Sequence, residues 1–286
     1  MIFWYFLLIV SFVWILFATV TDLRTREVPN WLNYSLIALG FGARIIYSFI
    51  LKDWSYFLYG LLGFILFFIF ANFMYYTKQW GGGDCKLLMG LGVIFMGYTG
   101  VPLFSAIHRL PFLLTLIINI FIAGAIYGFF YSLYLALNNW NNFKQELLKL
   151  NLKWIKFGFL IFFFIIFFSY FLLPLWIFYL TLSLLLFLMF SLCVLYFIKT
   201  VETTCLYKYL PVTSLTEGDW LAENVVKHKK IICTPRNIGL TKKDILLLKR
   251  NKIKQVFVKE GIPFVPGFLF GFILSIVFGD VMFFFI

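Results

Sequence analysis

Two aspartates stand where a long apolar run meets polar sequence. Asp22 follows the first apolar run and precedes the tripeptide Val28-Pro29-Asn30. Asp84 precedes a later apolar run, in the sequence Gly81-Gly82-Gly83-Asp84-Cys85-Lys86. Two further apolar runs separate them, so the chain would cross a bilayer and return, bringing both carboxylates to one membrane surface. Such a pair could perform the chemistry of an aspartyl protease, in which one carboxylate takes a proton from water and the other gives a proton to the peptide.

Each of the two motifs also has a simpler interpretation. A lone aspartate is commonly a polar helix end, although the turn predicted at Pro29-Asn30 shortens the next connection and holds Asp22 near the membrane surface. Asp84 could be the N-cap of a helix that follows a flexible glycine loop. The same glycines, Gly81 and Gly83, would let a substrate backbone approach closely, and Lys86 adds a positive charge beside them. Neither motif alone decides between these interpretations. Two aspartates at matching depth on one membrane face favour the catalytic one.

The composition is that of an integral membrane protein. Of 286 residues, 63% are hydrophobic and 40 are Phe, and the mean hydropathy is +0.97. The first apolar run lacks a basic n-region and a small-residue cleavage site, so it is predicted to be retained as a transmembrane helix. The formal net charge of +12 is attributed to cytoplasmic loops rather than to nucleic-acid binding. The four cysteines form no CxxC pair and the two histidines lack spaced acidic partners, so no disulfide framework, metal site or cofactor is predicted.

The apolar runs predict about eight transmembrane helices. The run 157–198 contains no charged residue, and as one helix it would be about 60 Å long, too long for one crossing. A hairpin that breaks at Pro174 is therefore predicted, and without it the count would be seven. The predicted spans are 3–20, 33–51, 56–76, 85–101, 111–137, 155–173, 175–198 and 263–284.

The distribution of basic residues predicts the orientation. With eight spans, one side of the membrane receives all thirteen Lys and Arg residues between positions 199 and 259, together with eight from the earlier loops and their flanks. The other side receives Lys52 and Arg109, while Arg44 falls within the second span. This asymmetry places the first side in the cytoplasm and both termini outside, so Asp22 and Asp84 are expected to face the cytoplasm.

The segment 199–262 is predicted to be a small cytoplasmic α+β module, because it is too short for a full domain core. A helix should start at the cap Thr241 with Asp244 in its first turn, and strands are expected at 230–233 and 254–258. The fold class is thus a polytopic α-helical membrane protein with this module inserted before the last helix. The predicted divisions are catalytic helices (1–137), a linker with an extra helical hairpin (138–198), the module (199–262) and the last helix (263–286).

The chain resembles the GxGD-type intramembrane aspartyl peptidases, and among them the type IV prepilin peptidases. Gly81-x-Gly83-Asp84 with Lys86-Leu87-Leu88 is similar to the second motif of that family, and Asp22 with Val28-Pro29-Asn30 is similar to the first. The segments 217–223, 240–245 and 259–266 are similar to the archaeal preflagellin and prepilin peptidases. The chain lacks the four-cysteine segment of many bacterial members, so N-methylation is not implied. It also departs from the family pattern at 138–198.

The resemblance implies a substrate and a mechanism. The substrate would be a prepilin or preflagellin precursor, whose positively charged class III leader is removed at the cytoplasmic membrane face. Asp22 and Asp84 would share one proton, because two close anions repel. The ionised carboxylate would activate water and the protonated one would polarise the scissile carbonyl. The remaining site-shaping residues carried by the motifs are Gly81, Gly83, Lys86, Pro29 and Asn30.

Other functions remain open on the sequence alone. The same aspartates could be ion ligands in a non-enzymatic transporter or channel, although both stand at span ends rather than mid-membrane. A GxGD protease with another membrane substrate, or an assembly protein that has lost activity, is also possible. Asp280 lies in the last span near its outer end, and exposure at the outer interface is predicted for it. His108 and Arg109 are placed in an outer loop.

Overall fold

A computed structural model describes residues 2–98, 109–149, 153–227, 230–235 and 239–285. The chain divides into two compact units, one formed by Met1–Phe130 with Tyr209–Ile286 and the other by Tyr131–Lys208. His108 and the outer end of the predicted span 85–101 lie outside the described residues.

Apolar helices occur in both units, as the sequence predicts. Five helices in the described part of the chain are long and apolar enough to cross a membrane, and two shorter apolar helices, Lys156–Leu172 and Val265–Val277, accompany them. A further apolar helix of 14 residues starts at the glycine loop. This is the architecture of a multi-pass membrane protein. The apolar helices of the first unit are α1 (Ile2–Thr25), α2 (Asn30–Leu51), α3 (Ser55–Tyr76), α4 (Gly82–Phe95), α5 (Phe112–Asn138), which continues into the second unit, and α10 (Val265–Val277).

The second unit contains the predicted hairpin. Its helices are α6 (Trp140–Lys149), α7 (Lys153–Leu172) and α8 (Leu175–Val201). Pro174 is the N-cap of α8, so the break between the two apolar helices falls where the sequence predicts it. The amphipathic helix α6 occupies the part of 138–198 that the sequence predicts to be a linker. Its Phe143 is buried in a small cluster with residues from the ends of α5 and α8.

Close packing of α3 against α4 depends on two glycines. A Cβ on Gly63 would lie 2.1 Å from the carbonyl oxygen of Gly92, and a Cβ on Gly92 would lie 2.5 Å from the carbonyl oxygen of Gly63. No side chain fits at either position, so the two backbones meet directly, as small residues permit in membrane helices. This packing places α4, and Asp84 at its start, against α3.

Arg44 connects three helices inside the first unit. Its side chain is fully buried, and its guanidinium donates to the carbonyl oxygens of Tyr56 (2.6 Å), Ile94 (2.9 Å) and Met96 (2.5 Å). The carbonyls at Ile94 and Met96 belong to the end of α4, where no further helical turn satisfies them. Arg44 therefore caps the C-terminus of α4 from α2, which explains a buried cation in an apolar span.

Asp280 is buried rather than exposed, and the prediction of an interfacial position for it is wrong. Its carboxylate accepts hydrogen bonds from the backbone N–H groups of Arg109 (2.5 Å) and Leu110 (3.0 Å) and from the Thr115 hydroxyl. These donors lie at the N-terminus of α5, where unpaired N–H groups favour an anion. Asp280 therefore holds the residues after α10 against the start of α5.

The α+β module follows the second unit. Its strands are β1 (Tyr207–Pro211), β2 (Trp220–Leu221), β3 (Val225–Lys227), β4 (Lys230–Cys233) and β5 (Gln255–Lys259), and its helix is α9 (Lys242–Arg250). One sheet has the order β1-β5-β2, and β3 pairs with β4 in a hairpin. Thr241 and Asp244 form the predicted capping box of α9. The predicted strands at 230–233 and 254–258 are confirmed, with a shift of one residue for the latter.

Candidate active site

Asp22 lies in the last turn of α1 and is 5% exposed. Its carboxylate accepts a hydrogen bond from the backbone N–H of Val265 at 2.9 Å. Val265 is the first residue of α10, so Asp22 faces the N-terminus of another helix, which favours negative charge. The neighbour that fixes the Asp22 side chain is thus 243 residues away in the chain.

Asp84 lies in the first turn of α4 and is partly buried. Its carboxylate accepts a hydrogen bond from the backbone N–H of Gly81 at 3.1 Å. Gly81 is the N-cap of α4, and Asp84 stands at the third position of the helix rather than at the N-cap that the simpler interpretation of the motif expects. The carboxyl groups of Asp84 and Asp22 are also close enough to interact electrostatically. The structure thus brings the two aspartates into one site.

Contacts between the two motifs build the rest of this site. A Cβ on Gly83 would lie 3.1 Å from the Cβ of Val28, so the turn after α1 packs directly on the glycine loop. The Asn33 side chain donates to the carbonyl oxygen of Gly83 at 3.1 Å. Lys86 donates to Asn30 Oδ1 at 2.6 Å. The two motifs, which are far apart in the sequence, therefore form one contact surface.

The remaining predicted site residues have distinct positions. Pro29 is the N-cap of α2 and its carbonyl oxygen accepts from the N–H of Leu32 at 3.1 Å. Lys86 also lies over the ring of Tyr34, 5.5 Å from its centroid, so its ammonium is directed to α2. Gly81 is exposed, and a Cβ there would meet no atom closer than 3.5 Å. The close approach that the structure shows in the glycine loop is therefore at Gly83, and the approaching residue is Val28 of the same chain.

Three residues of the site were not predicted from the sequence. Trp80 is buried before the glycine loop, with its ring 5.6 Å from that of Phe121 and 5.2 Å from that of Phe268. It anchors the loop on α5 and α10. Asn33 carried a usable signal, because it is an amide within an apolar span. Val265 carried none, because its contribution is a backbone N–H.

The α+β module also contacts this site. Glu260, which follows β5, forms an ion pair with Arg26 in which Oε2 and Nη1 are 2.5 Å apart. Asp219 lies close enough to interact electrostatically with both of them. Burial raises the pKa of the Asp219 carboxyl, while the hydrogen bonds from Thr216 lower it. The module thus places two carboxylates beside the end of α1.

The geometry permits acid–base chemistry by two carboxyl groups. Close carboxyl groups that share one proton can act together, one as a base toward water and the other as an acid toward a carbonyl oxygen. In the part of the chain that the structure describes, no group of three or more His, Cys, Asp and Glu residues is placed to hold a metal ion.

Comparison with known proteins finds similarity over the N-terminal helices. The model of the type IV leader peptidase family matches residues 9–141. A preflagellin peptidase of Methanocaldococcus jannaschii is 31% identical over 137 residues, which cover 42% of this chain and 58% of the relative. Preflagellin peptidases of Methanococcus maripaludis and Methanococcus voltae are 28% and 25% identical, over 44% and 45% of this chain and 55% of each relative.

The chain therefore spans little more than half the length of these relatives, and the α+β module lies beyond the part matched by the family model. No solved structure matches the chain. Both aspartates and all contacts between the two motifs fall within the matched residues. Residues 9–141 are thus similar to the type IV leader peptidase family.

Proposed function

We propose that this chain is a membrane aspartyl endopeptidase that removes the positively charged leader from prepilin or preflagellin precursors. The observation that carries the proposal is the packing of the Asp22 motif on the Asp84 motif at Val28 and Gly83, which brings the two carboxyl groups within range of electrostatic interaction. The names of the three relatives support the substrate class. The partners of the chain would then be precursor subunits and the lipid bilayer.

In the proposed reaction, Asp22 and Asp84 share one proton. The ionised carboxylate takes a proton from water, whose oxygen attacks the carbonyl carbon of the scissile bond. The protonated carboxyl gives its proton to the carbonyl oxygen. Collapse of the tetrahedral intermediate breaks the C–N bond. The leaving nitrogen takes the proton that the first carboxylate received from water, and a hydroxyl proton of the intermediate returns to the second carboxylate. One water is consumed, and the products are the leader, which ends in a carboxylate, and a mature subunit with a new amino terminus.

The other predicted site residues hold this arrangement together. Gly83 provides the surface on which the Val28-Pro29-Asn30 turn rests, and Lys86 ties α4 to that turn through Asn30. Gly81 and Gly82 are more open and would admit an extended segment of the precursor beside Asp84. The proposed division of labour is therefore positioning by Gly83, Lys86, Pro29 and Asn30, and substrate access at Gly81.

The active site is proposed to face the cytoplasm. The excess of Lys and Arg on the loops that join α1 to α2 and α3 to α4, and in the module, supports this orientation. Residues 1–137 would then be the catalytic helices, 138–198 an added hairpin, 199–262 a cytoplasmic module and 263–286 the last transmembrane segment.

Co-expression tests the proposed function. The full chain is expressed with a preflagellin or a prepilin that carries its class III leader, and processing is followed as a shift in gel mobility. Mass spectrometry of the product then gives the new amino terminus. Cleavage at the end of the leader is expected. Unprocessed precursor beside abundant, membrane-inserted protein would contradict the proposed activity for that substrate.

A further inference from the structure

The last turn of α1 is held at two points by one short segment. The Asp22 carboxylate accepts from the N–H of Val265, and the Arg26 guanidinium pairs with Glu260 at 2.5 Å. Asp22 and Arg26 are one turn apart, because the N–H of Arg26 donates to the carbonyl oxygen of Asp22 at 2.8 Å. The segment 260–265, which joins the α+β module to α10, therefore contacts both ends of the turn that carries Asp22.

The backbone of Arg26 is left-handed, as it also is at Lys52, Lys78 and Lys252. Arg26 has a φ of +58°, in the left-handed region that costs energy for a residue with a Cβ. Helices that end in this conformation usually have glycine there. From this position the guanidinium of Arg26 reaches Glu260.

The Arg26–Glu260 pair is better shielded than an ordinary surface ion pair. The Glu260 side chain is 17% exposed and that of Arg26 is 34% exposed. By comparison, the Lys149–Glu146 pair on α6 has side chains that are 67% and 42% exposed. Partial burial reduces screening by solvent, so the pair beside Asp22 can restrain geometry more strongly than an exposed pair.

We propose that Glu260 is a positioning residue for Asp22. By pairing with Arg26, Glu260 fixes the last turn of α1. The Asp22 carboxylate in that turn is then held at hydrogen-bonding distance from the N–H of Val265. The α+β module therefore contributes to the active site, because Glu260 directly follows its strand β5. The inference rests on the proposed function, because it concerns how the same aspartate is oriented.

The test compares cleavage kinetics of the purified full-length protein in detergent, with a preflagellin precursor as substrate. Glu260→Gln should lower kcat by roughly 10- to 100-fold with KM little changed, since a small displacement of a catalytic group is costly while the substrate contacts remain. Glu146→Gln makes the same chemical change in the exposed pair on α6 and should leave kcat unchanged. An unchanged kcat in Glu260→Gln would overturn the inference.

Two further variants separate positioning from folding. Arg26→Gly removes the guanidinium but suits the φ of +58°, so it should unfold near the wild-type temperature and still lose kcat. The exchanged pair, Arg26→Glu with Glu260→Arg, should recover at least about tenfold of the kcat lost in either single variant. An exchanged pair as slow as the single variants, or a fully active Arg26→Gly, would contradict the proposal.

These results are distinguishable from failure of the proposed function. If the wild-type protein cleaves no leader, the proposed function and this inference are both wrong. If the wild type and Glu260→Gln both cleave normally, the proposed function stands and only this inference is wrong.

Discussion

At the residue scale, Gly83 is the position in the glycine loop where a side chain has least room. A Cβ there would lie 3.1 Å from the Cβ of Val28 and 3.3 Å from its backbone nitrogen. A larger residue would push the Val28 turn away from α4 and separate the two motifs. Gly83 thus links the position of Asp84 to that of Asp22, although it has no chemistry of its own.

We expect Gly83→Val to lower the rate of leader cleavage by about tenfold or more, because overpacking costs about 1–3 kcal/mol and is relieved by moving the turn. The matched control is Gly42→Val in α2, where a Cβ would meet no atom within 4 Å. Both variants should insert in the membrane, since valine is well tolerated in lipid. Cleavage by gel shift is compared at equal membrane abundance. Normal cleavage by Gly83→Val would show that the contact with Val28 is dispensable.

Gly92, by contrast, is unsuited as a control. A Cβ at Gly92 would lie 2.5 Å from the carbonyl oxygen of Gly63, so valine there would force α3 and α4 apart. A helix-packing defect of this kind would reduce activity without any change at the aspartates. Two glycines of the same helix therefore have different roles, and the difference lies in the neighbour that each one meets.

At the scale of helices, Arg44 is the buried residue on which the ends of α2, α3 and α4 converge. It supplies donors to carbonyl groups that the bilayer cannot satisfy, since a helix end in hydrocarbon has no water to bind. The position of α4 along α2 is therefore fixed at its C-terminal end by Arg44 and at its N-terminal end by the Lys86–Asn30 contact.

Arg44→Met should destabilise the protein, because the carbonyl oxygens of Ile94 and Met96 at the end of α4 lose their donor at a cost of about 1–3 kcal/mol each. The measurement is thermal unfolding in detergent, and a clear drop in the unfolding temperature is expected. Arg24→Met, which removes an exposed charge near the end of α1, is the control and should unfold close to the wild type. Equal stability of Arg44→Met and wild type would mean that these carbonyls find other partners.

The elements differ in how well the sequence predicts them, for physical reasons. Features set by local sequence can be predicted from it. The helix break at Pro174 and the helix cap at Thr241 are of this kind, and both are confirmed. Hydrogen bonds from distant backbone N–H groups cannot be predicted from the sequence. The bond from Val265 to Asp22 and the bonds to Asp280 are examples. The burial of Asp280 was mispredicted because nearness to a helix end suggested exposure, while its donors lie about 170 residues earlier in the chain.

The candidate site divides in the same way. The two aspartates and the Val28-Pro29-Asn30 turn are recognisable as motifs, and the structure brings them together. The Arg26–Glu260 pair is not recognisable, because either residue could be an ordinary surface charge in a chain with 24 Lys and Arg and 12 Asp and Glu residues. Its significance depends on the position of the module beside α1, which is a tertiary property.

At the scale of the whole molecule, the charge asymmetry predicts the topology. Tags at both termini should be accessible from outside the cell, and a tag near Lys229 should be accessible only after the membrane is permeabilised, because basic loops remain in the cytoplasm. The measurement is antibody or protease access to each tag in intact and permeabilised cells. Access to the Lys229 tag in intact cells would place the aspartates on the side where leaders are not removed.

The most direct measurement of the central claim is leader cleavage by aspartate variants at matched abundance. Asp22→Asn and Asp84→Asn should each lower the rate by roughly 100-fold or more, since one carboxyl cannot supply both the base and the acid. Asp53→Asn changes an exposed aspartate in the same way and serves as the control. We predict that both site variants insert and fold but leave the precursor uncleaved, while Asp53→Asn processes it normally. Near-normal cleavage by Asp22→Asn or by Asp84→Asn would contradict a catalytic pair.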